Sequence, residues 1–438
     1  MRPRIDPASA VLPMKILHCL HQYHPARGGA ENLMKGVSDR LAARGHDVRV
    51  LATTAGSTEE YFLKRKGRRA GADGTAGPAG TEMIDGVSVT RVPYRRFGAS
   101  VLNKLRAVAW RVPIPWGEYW RMLSWGPRSR AYYREILAAD VDVVAAGPLP
   151  MLVVWYARRA AKRRGLPLVI VPCFHTEDRY SFHNRRYFRW LREADAVVCL
   201  TELEREYFHR VAGVALDRMT VIGVGIDIGP EDAGESSDRP AVLDRIRAEY
   251  GLDSEDLVLF IGQHAAHKGI VPLVEAMEEI WRSGGRRPNL IIAGNPTAHT
   301  AVVEARVARL PESMRRRIRL VKGITETQKR DLLRAADVFV SVSPFESFGI
   351  VYLEAWREKR VVIGCRRGAA SRIIDPHRDG LLVADNHPRE LAGAILELLD
   401  DPDLRARMGE RGYANARETY RWDGLIDRWE ALYRTLRP

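Results

Sequence analysis

Val338-Phe-Val-Ser-Val-Ser343-Pro-Phe-Glu346-Ser347-Phe348-Gly349-Ile350-Val-Tyr-Leu-Glu354 is the stretch that decides how this chain is read. Its β-branched and aromatic start predicts a buried strand. Pro344 cannot donate to a ladder and ends it. Gly349 then opens an apolar helix that carries Glu354. One carboxylate therefore sits on a tight loop and a second on the helix that follows. Between them lies a helix N-terminus whose free N–H groups suit an anion such as a diphosphate. Carboxylates beside an anion make sense when they accept hydrogen bonds from hydroxyls of the same ligand. A sugar nucleotide meets that description better than a bare phosphate.

Working outward, the flanking pattern is strand and helix in alternation. Leu257–Gly262, Leu290–Gly294, Ile318–Val321, Val338–Val342, Val361–Gly364 and Leu381–Val383 read as strands of a Rossmann-type array. The loop after the first of them carries Gln263 and Lys268, and Gly269 opens the helix Ile270–Trp281. A lysine there reaches a phosphate at the sheet edge. The N-terminal half repeats the logic. Ile16–Leu20 is a strand, Gly28-Gly29 a glycine turn, Asn32–Arg44 a helix and Val48–Ala52 a second strand. The glycines permit either close backbone approach to a ligand or merely a tight turn. Leu168–Val171 runs into Pro172-Cys-Phe-His175, which puts His175 at a strand's C-terminal end, where open α/β sheets place their sites. Residues 229–240 are acidic and turn-rich, as expected of a linker between residues 14–228 and 241–417.

At 438 residues, two domains are the expectation. The formal charge of +14 suggests an anionic partner, although the Lys and Arg residues are spread along the whole chain. No nucleic-acid module is recognisable, and residues 27–36 lack the G-x-G-x-x-G loop of a nicotinamide dehydrogenase. Cys19, Cys173, Cys199 and Cys365 are far apart and fit reduced, buried thiols. No apolar run is long enough to cross a bilayer. Residues 1–13 read as a disordered extension, with Met14 leading straight into the first strand, and residues 55–80 as a polar, mobile insert. Tyr94 to Tyr133 interleaves basic residues with Trp110, Trp116, Trp120 and Trp125, which fits either an anionic membrane or acceptor face, or an ordinary packed helix pair.

Taken together these motifs resemble the GT4 family of retaining glycosyltransferases with the GT-B fold. Gly28-Gly29-Ala-Glu31 is similar to that family's first glycine loop and Gly262-Gln263-His-Ala-Ala-His-Lys268-Gly269 to its diphosphate loop. Glu346 and Glu354 are similar to its pair of glutamates, and Tyr420-Arg-Trp422 to the start of its closing helix. Gln263 stands where the family usually has Arg, and Arg367-Gly368 and Ser371 stand where it has a Gly-Gly pair and a Glu. The resemblance implies an α/β architecture of two Rossmann-like domains facing each other across a cleft. Residues 418–438 would cross back to complete the first domain. It implies a nucleoside-diphosphate sugar as co-substrate, a glycan or lipid-linked acceptor, retention of configuration, and neither cofactor nor metal. Asp140–Asp142 and Asp401–Asp403 are then strand-entry and helix-start residues. Glu346, His175 and Lys268 would be catalytic. Gly28, Gly29, Gln263, Lys268, Ser347, Phe348, Gly349, Ile350 and Glu354 would bind the donor. A cytoplasmic protein, peripheral at the inner membrane face, is the expected setting. The other reading is a non-transferase GT-B relative such as a sugar-nucleotide epimerase, which needs no acceptor surface.

Overall fold

The computed structural model describes residues 12–26, 28–56, 58–61, 78–95, 101, 104–105, 108, 116–229, 239–253 and 256–437. The first half supplies β1 (Lys15–Cys19), β2 (Asp47–Thr53), β3 (Gly80–Ile84), β4 (Val87–Val92), β5 (Val143–Ala146), β6 (Leu168–Ile170), β7 (Ala196–Cys199) and β8 (Met219–Val221). They form one sheet in the order β3-β4-β2-β1-β5-β6-β7-β8. The second half supplies β9 (Leu257–Ile261), β10 (Asn289–Gly294), β11 (Ile318–Lys322), β12 (Val338–Ser341), β13 (Val361–Cys365) and β14 (Gly380–Val383). Their order, β11-β10-β9-β12-β13-β14, is that of a doubly wound nucleotide-binding sheet. Helices cover both faces, so the strands are apolar without alternation; all five residues of β9 are buried. Among the described strands only β3 is antiparallel, joined to β4 through Asp85 and Gly86 at φ +49° and +81°, the left-handed pair a two-residue hairpin needs.

In both sheets the chain reverses direction beside the first strand. β1 lies between β2 and β5, with Ile16 opposite Val48 and Val143. β9 lies between β10 and β12. These two switch points face each other and form the cleft. The two halves are joined a second time by the chain's end. The helix Pro402–Thr419 packs on the second half, then Ile226 accepts Arg421 as a β-bridge partner and donates its N–H to Tyr420 O at 2.8 Å. The helix Trp422–Leu436 continues over the first half, where Tyr433 Oη meets His18 Nε2 at 3.0 Å.

Trp422 anchors that crossing. A Cβ on Gly36 would lie 2.3 Å from its indole and one on Gly225 2.2 Å, so both glycines are small because the ring fills the slot. The Arg40 guanidinium stacks 4.5 Å above it. Trp422→Ala is expected to destabilise the protein by about 3–5 kcal/mol, the usual cost of a buried Trp truncation, read as a lower urea midpoint.

Several expectations need correction. Tyr61, inside the supposed polar insert, is 3% exposed, and its hydroxyl contacts Thr53 Oγ1 at 2.8 Å and His21 O at 3.0 Å. That short turn is core; residues 62–77 of the insert lie outside the described residues. The linker expectation runs too far. A helix begins at Arg239, whose guanidinium holds Asp337 at 2.7 Å, while residues 230–238 lie outside the described residues. The same holds for residues 1–11 of the N-terminal extension and for most of 96–115, including Trp110. The four cysteines are buried free thiols. Among the described residues no helix is long and apolar enough to cross a membrane.

Candidate active site

A cleft of about 810 Å3 opens between the two sheets, lined almost wholly by loops that leave the C-terminal ends of strands. From the first half come Gly28 and Gly29 after β1, Pro148–Met151 after β5 and Cys173, His175, Asp178 after β6; from the second, Gln263 and Lys268 after β9 and Asn295 after β10. Thr325, Glu326 and Lys329 follow β11, and Phe345 through Val351 follow β12. All the expected site residues except Glu354 line it.

Lys268 and Glu346 form a charged pair in its lining. Lys268 Nζ lies 2.5 Å from Glu346 Oε1, with the side chains 18% and 13% exposed. Burial pushes the Glu346 pKa up, but Lys268, followed by His175 and His267, overrides it and holds the carboxyl below its usual range. Lys268 therefore meets a carboxylate as well as any phosphate that enters. Ser347 and Phe348 lead to Gly349, which at φ +101° caps the helix Ile350–Arg357; a Cβ there would lie 2.6 Å from the Tyr352 ring. No side chain caps this helix, and Gly349, Ile350 and Val351 at its start line the cleft.

His175 reaches across from the first half. Its Nδ1 lies 2.8 Å from Phe345 O, one residue before Glu346. A carbonyl only accepts, so Nδ1 carries the proton. Burial lowers the ring's pKa despite Glu346, leaving a neutral imidazole with Nε2 as an acceptor for a hydroxyl. Gly29 also faces the second half: its Cβ position is 3.9 Å from Ile350 Cδ1. Gly28 has a different reason to be small. A Cβ on it would fall 2.2 Å from Glu31 Oε2, whose carboxylate folds back over the turn and pairs with His21 at 3.3 Å. Glycine there makes room for Glu31, a role separate from the backbone approach to a ligand expected from the sequence.

Glu354 behaves differently from its partner. Its Oε1 is held by Lys329 at 2.6 Å, and Lys329 also holds Glu326 at 2.7 Å. Burial works against the Lys329 charge, but Glu354 and Glu326 keep its pKa raised. Sequence reasoning missed Lys329. Thr325-x-x-Gln328 signals a capping box and so a helix start, but nothing local indicates a partner on a different helix. Trp125, named in the segment read as a membrane or acceptor face, lines the cleft, but the rest of the first half's apolar wall, Pro148, Leu149, Pro150, Met151 and Phe182, was missed. Gln263 lines it too and is exposed. Arg367, one of the departures from the family pattern, bridges the halves: it holds Glu177 at 2.5 Å and Asp385 at 3.0 Å. The Asp-x-Asp pairs have local partners: Asp142 accepts from Lys15 N at 2.9 Å, and Asp401 caps Leu404 N at 2.8 Å.

Comparison with known proteins finds family matches over both halves of the chain. Residues 27–229 match the family described as Glycosyltransferase Family 4, and residues 243–415 match Glycosyl transferases group 1. The alpha-D-kanosaminyltransferase of Streptomyces kanamyceticus is 26% identical over 72% of this chain and 82% of its own length. A D-inositol 3-phosphate glycosyltransferase of Corynebacterium glutamicum (strain R) is 30% identical over 55% of this chain; the match spans 57% of that relative's length. Among solved structures, HepE of Anabaena in complex with UDP and glucose superposes with a TM-score of 0.69, at 17% identity over 96% of this chain and all of that one. The sucrose-phosphate synthase of Thermosynechococcus elongatus gives 0.69 at 18% identity, over 96% of this chain and 99% of that one. At these identities the two structures bear on the fold alone, which is GT-B.

Proposed function

Because this chain belongs to glycosyltransferase family 4, we propose that it moves a sugar from a nucleoside-diphosphate sugar to a hydroxyl of a glycan or lipid-linked acceptor, with retention of configuration and without a metal ion. The observation that carries the reading is the Lys268–Glu346 pair, set beside an uncapped helix N-terminus and met across the cleft by neutral His175. The second half takes the nucleotide. Lys268 and the N–H groups at Ile350 meet the diphosphate charge that grows as the anomeric C–O bond breaks. The acceptor oxygen bonds to the anomeric carbon from the same face, and its proton passes to the departing phosphate oxygen. Glu346 and His175 Nε2 accept hydrogen bonds from donor hydroxyls. HepE, which shares the fold, is solved with UDP and UDP-glucose, so uridine nucleotides are the first donors to screen.

The acceptor lies against the apolar wall of Trp125, Pro148–Met151 and Phe182. An epimerase needs no such wall, which favours transfer. The protein works at the cytoplasmic membrane face, and Trp116, 71% exposed, supports docking there through the basic, Trp-bearing segment. A thermal-shift screen of UDP-, GDP- and ADP-sugars tests the donor assignment. One nucleotide sugar is expected to raise Tm in a saturable way, because it binds only the folded state. If none shifts Tm, the reading is wrong.

A further inference from the structure

Glu204 is among the most deeply buried carboxyl groups of the chain, 1% exposed, and the transfer chemistry does not use it. It stands three residues after Thr201, whose hydroxyl accepts the Glu204 N–H at 3.2 Å, so the pair has the form of a capping box. In a capping box the carboxylate would return to the N–H of Thr201. Here it does not. Oε2 accepts the Leu200 N–H at 2.5 Å and Oε1 reaches to the neighbouring strand's end, accepting the Phe174 N–H at 2.5 Å. Both oxygens serve as acceptors of backbone N–H groups. Burial pushes its pKa up to about 8, and these two N–H groups oppose that shift. The Cys173 and Cys199 thiols beside it are pushed up by burial and stay neutral.

Phe174 lies between Cys173 and His175. Cys173 is held at φ +47°, a left-handed conformation that is strained for a non-glycine residue. The turn persists because its surroundings over-determine it. On one side Pro172 O accepts the Leu149 N–H at 2.9 Å; on the other Glu204 takes the Phe174 N–H. The next residue is His175, whose ring spans the cleft to Phe345 O at 2.8 Å, beside Glu346.

We propose that Glu204 is a positioning residue: its buried carboxyl group locks the strained Cys173–Phe174 turn and thereby aims His175 at the reacting sugar and at the Glu346 loop. The proposal rests on the placement of His175 in the transfer site. Glu204 touches neither substrate nor reacting atoms; it acts through one backbone N–H. Glu204→Gln puts an amide NH2 against one of the two N–H groups and releases it.

The test is a set of four variants assayed with the donor identified by the thermal screen: H175A, E204Q, the double variant and E204Q/C173G. E204Q is expected to keep its far-UV circular dichroism and donor KM while kcat falls about tenfold. The double variant is expected to be no slower than H175A, because both changes remove one function. Cys173→Gly, which adopts a positive φ without strain, is expected to restore most of the loss in E204Q. Should E204Q fail to fold, Glu204→Asp, shorter by one methylene, replaces it in the same set. Wild-type kcat in the Glu204 variant, or losses that multiply in the double variant, would overturn the positioning role. A fully active H175A would overturn the site reading itself, and the role of Glu204 with it.

Discussion

Lys268→Ala is expected to lower kcat by about 10²- to 10³-fold, the range seen when one preorganised charge-stabilising donor is removed. It is also expected to destabilise the protein, and the second effect must be separated from the first. In the folded chain Glu346 is 13% exposed and its carboxylate is paired at 2.5 Å with Lys268. Removing the lysine leaves a buried, uncompensated charge, at a cost of about 3–5 kcal/mol. The sign with pH follows. With Lys268 present, the folded pKa of Glu346 is depressed, so its contribution is in place above the usual carboxylate range and is lost as pH falls through the folded value. Without Lys268 burial prevails and pushes the pKa upward. The variant should then be more stable at mildly acid pH, where Glu346 takes up a proton, and weaken as pH rises. Glu346→Gln in the Lys268→Ala background removes the stranded charge. It is expected to recover stability in urea titrations while leaving transfer at the level of the single variant or below. Full turnover by purified Lys268→Ala would remove Lys268 from the catalytic assignment.

What the sequence disclosed follows the range of each interaction. The parallel sheets were legible because strands buried on both faces read as continuous apolar runs, as β9 and β12 do. The helix start at Gly349 was legible because proline and glycine act locally. The order of motifs along the chain placed Lys268 and Glu346 at one sheet edge. Their ion pair was not legible, since it joins residues 78 positions apart and depends on how two loops fold toward each other. Lys329, the partner of Glu354, was hidden for the same reason, and so was Glu204, whose sequence setting is that of a helix cap. Gly28 shows the limit from the other side. Its small size was noticed, but its cause, the Glu31 carboxylate occupying the space of a Cβ, is a three-dimensional fact. Tyr61 was misjudged because its neighbours in sequence are polar, while its hydroxyl partners, Thr53 and His21, stand on or beside the first strands.

Glu354→Ala should raise the donor KM by about 10²-fold or more, enough to abolish transfer at donor concentrations that serve the wild type. A carboxylate can accept from both hydroxyls of a ribose, and each charge-assisted bond contributes about 1.5–3 kcal/mol. The structure offers a second explanation for the same loss, so KM alone does not decide. Glu354 is bound to Lys329 at 2.6 Å, and Lys329, not Glu354, lines the cleft. Glu354 could read the ribose directly once the donor is bound, with Lys329 turning aside toward Glu326, its other partner at 2.7 Å. Alternatively it could only hold Lys329 in place while the lysine meets the nucleotide. A 2′-deoxyribose donor separates these. If Glu354 reads the diol, the wild type discriminates against the deoxy donor by one hydrogen bond, and Glu354→Ala handles both donors equally badly. If Glu354 only anchors Lys329, the variant keeps the wild-type preference for the ribose form, and Lys329→Ala reproduces its KM. The direct reading predicts instead that Lys329→Ala leaves the diol preference intact, because Glu354 needs no lysine to accept a hydroxyl. On the direct reading both carboxylates of the 346–354 stretch are ligand-directed, each held in the free protein by a lysine from another element: Lys268 for the sugar end, Lys329 for the nucleoside end.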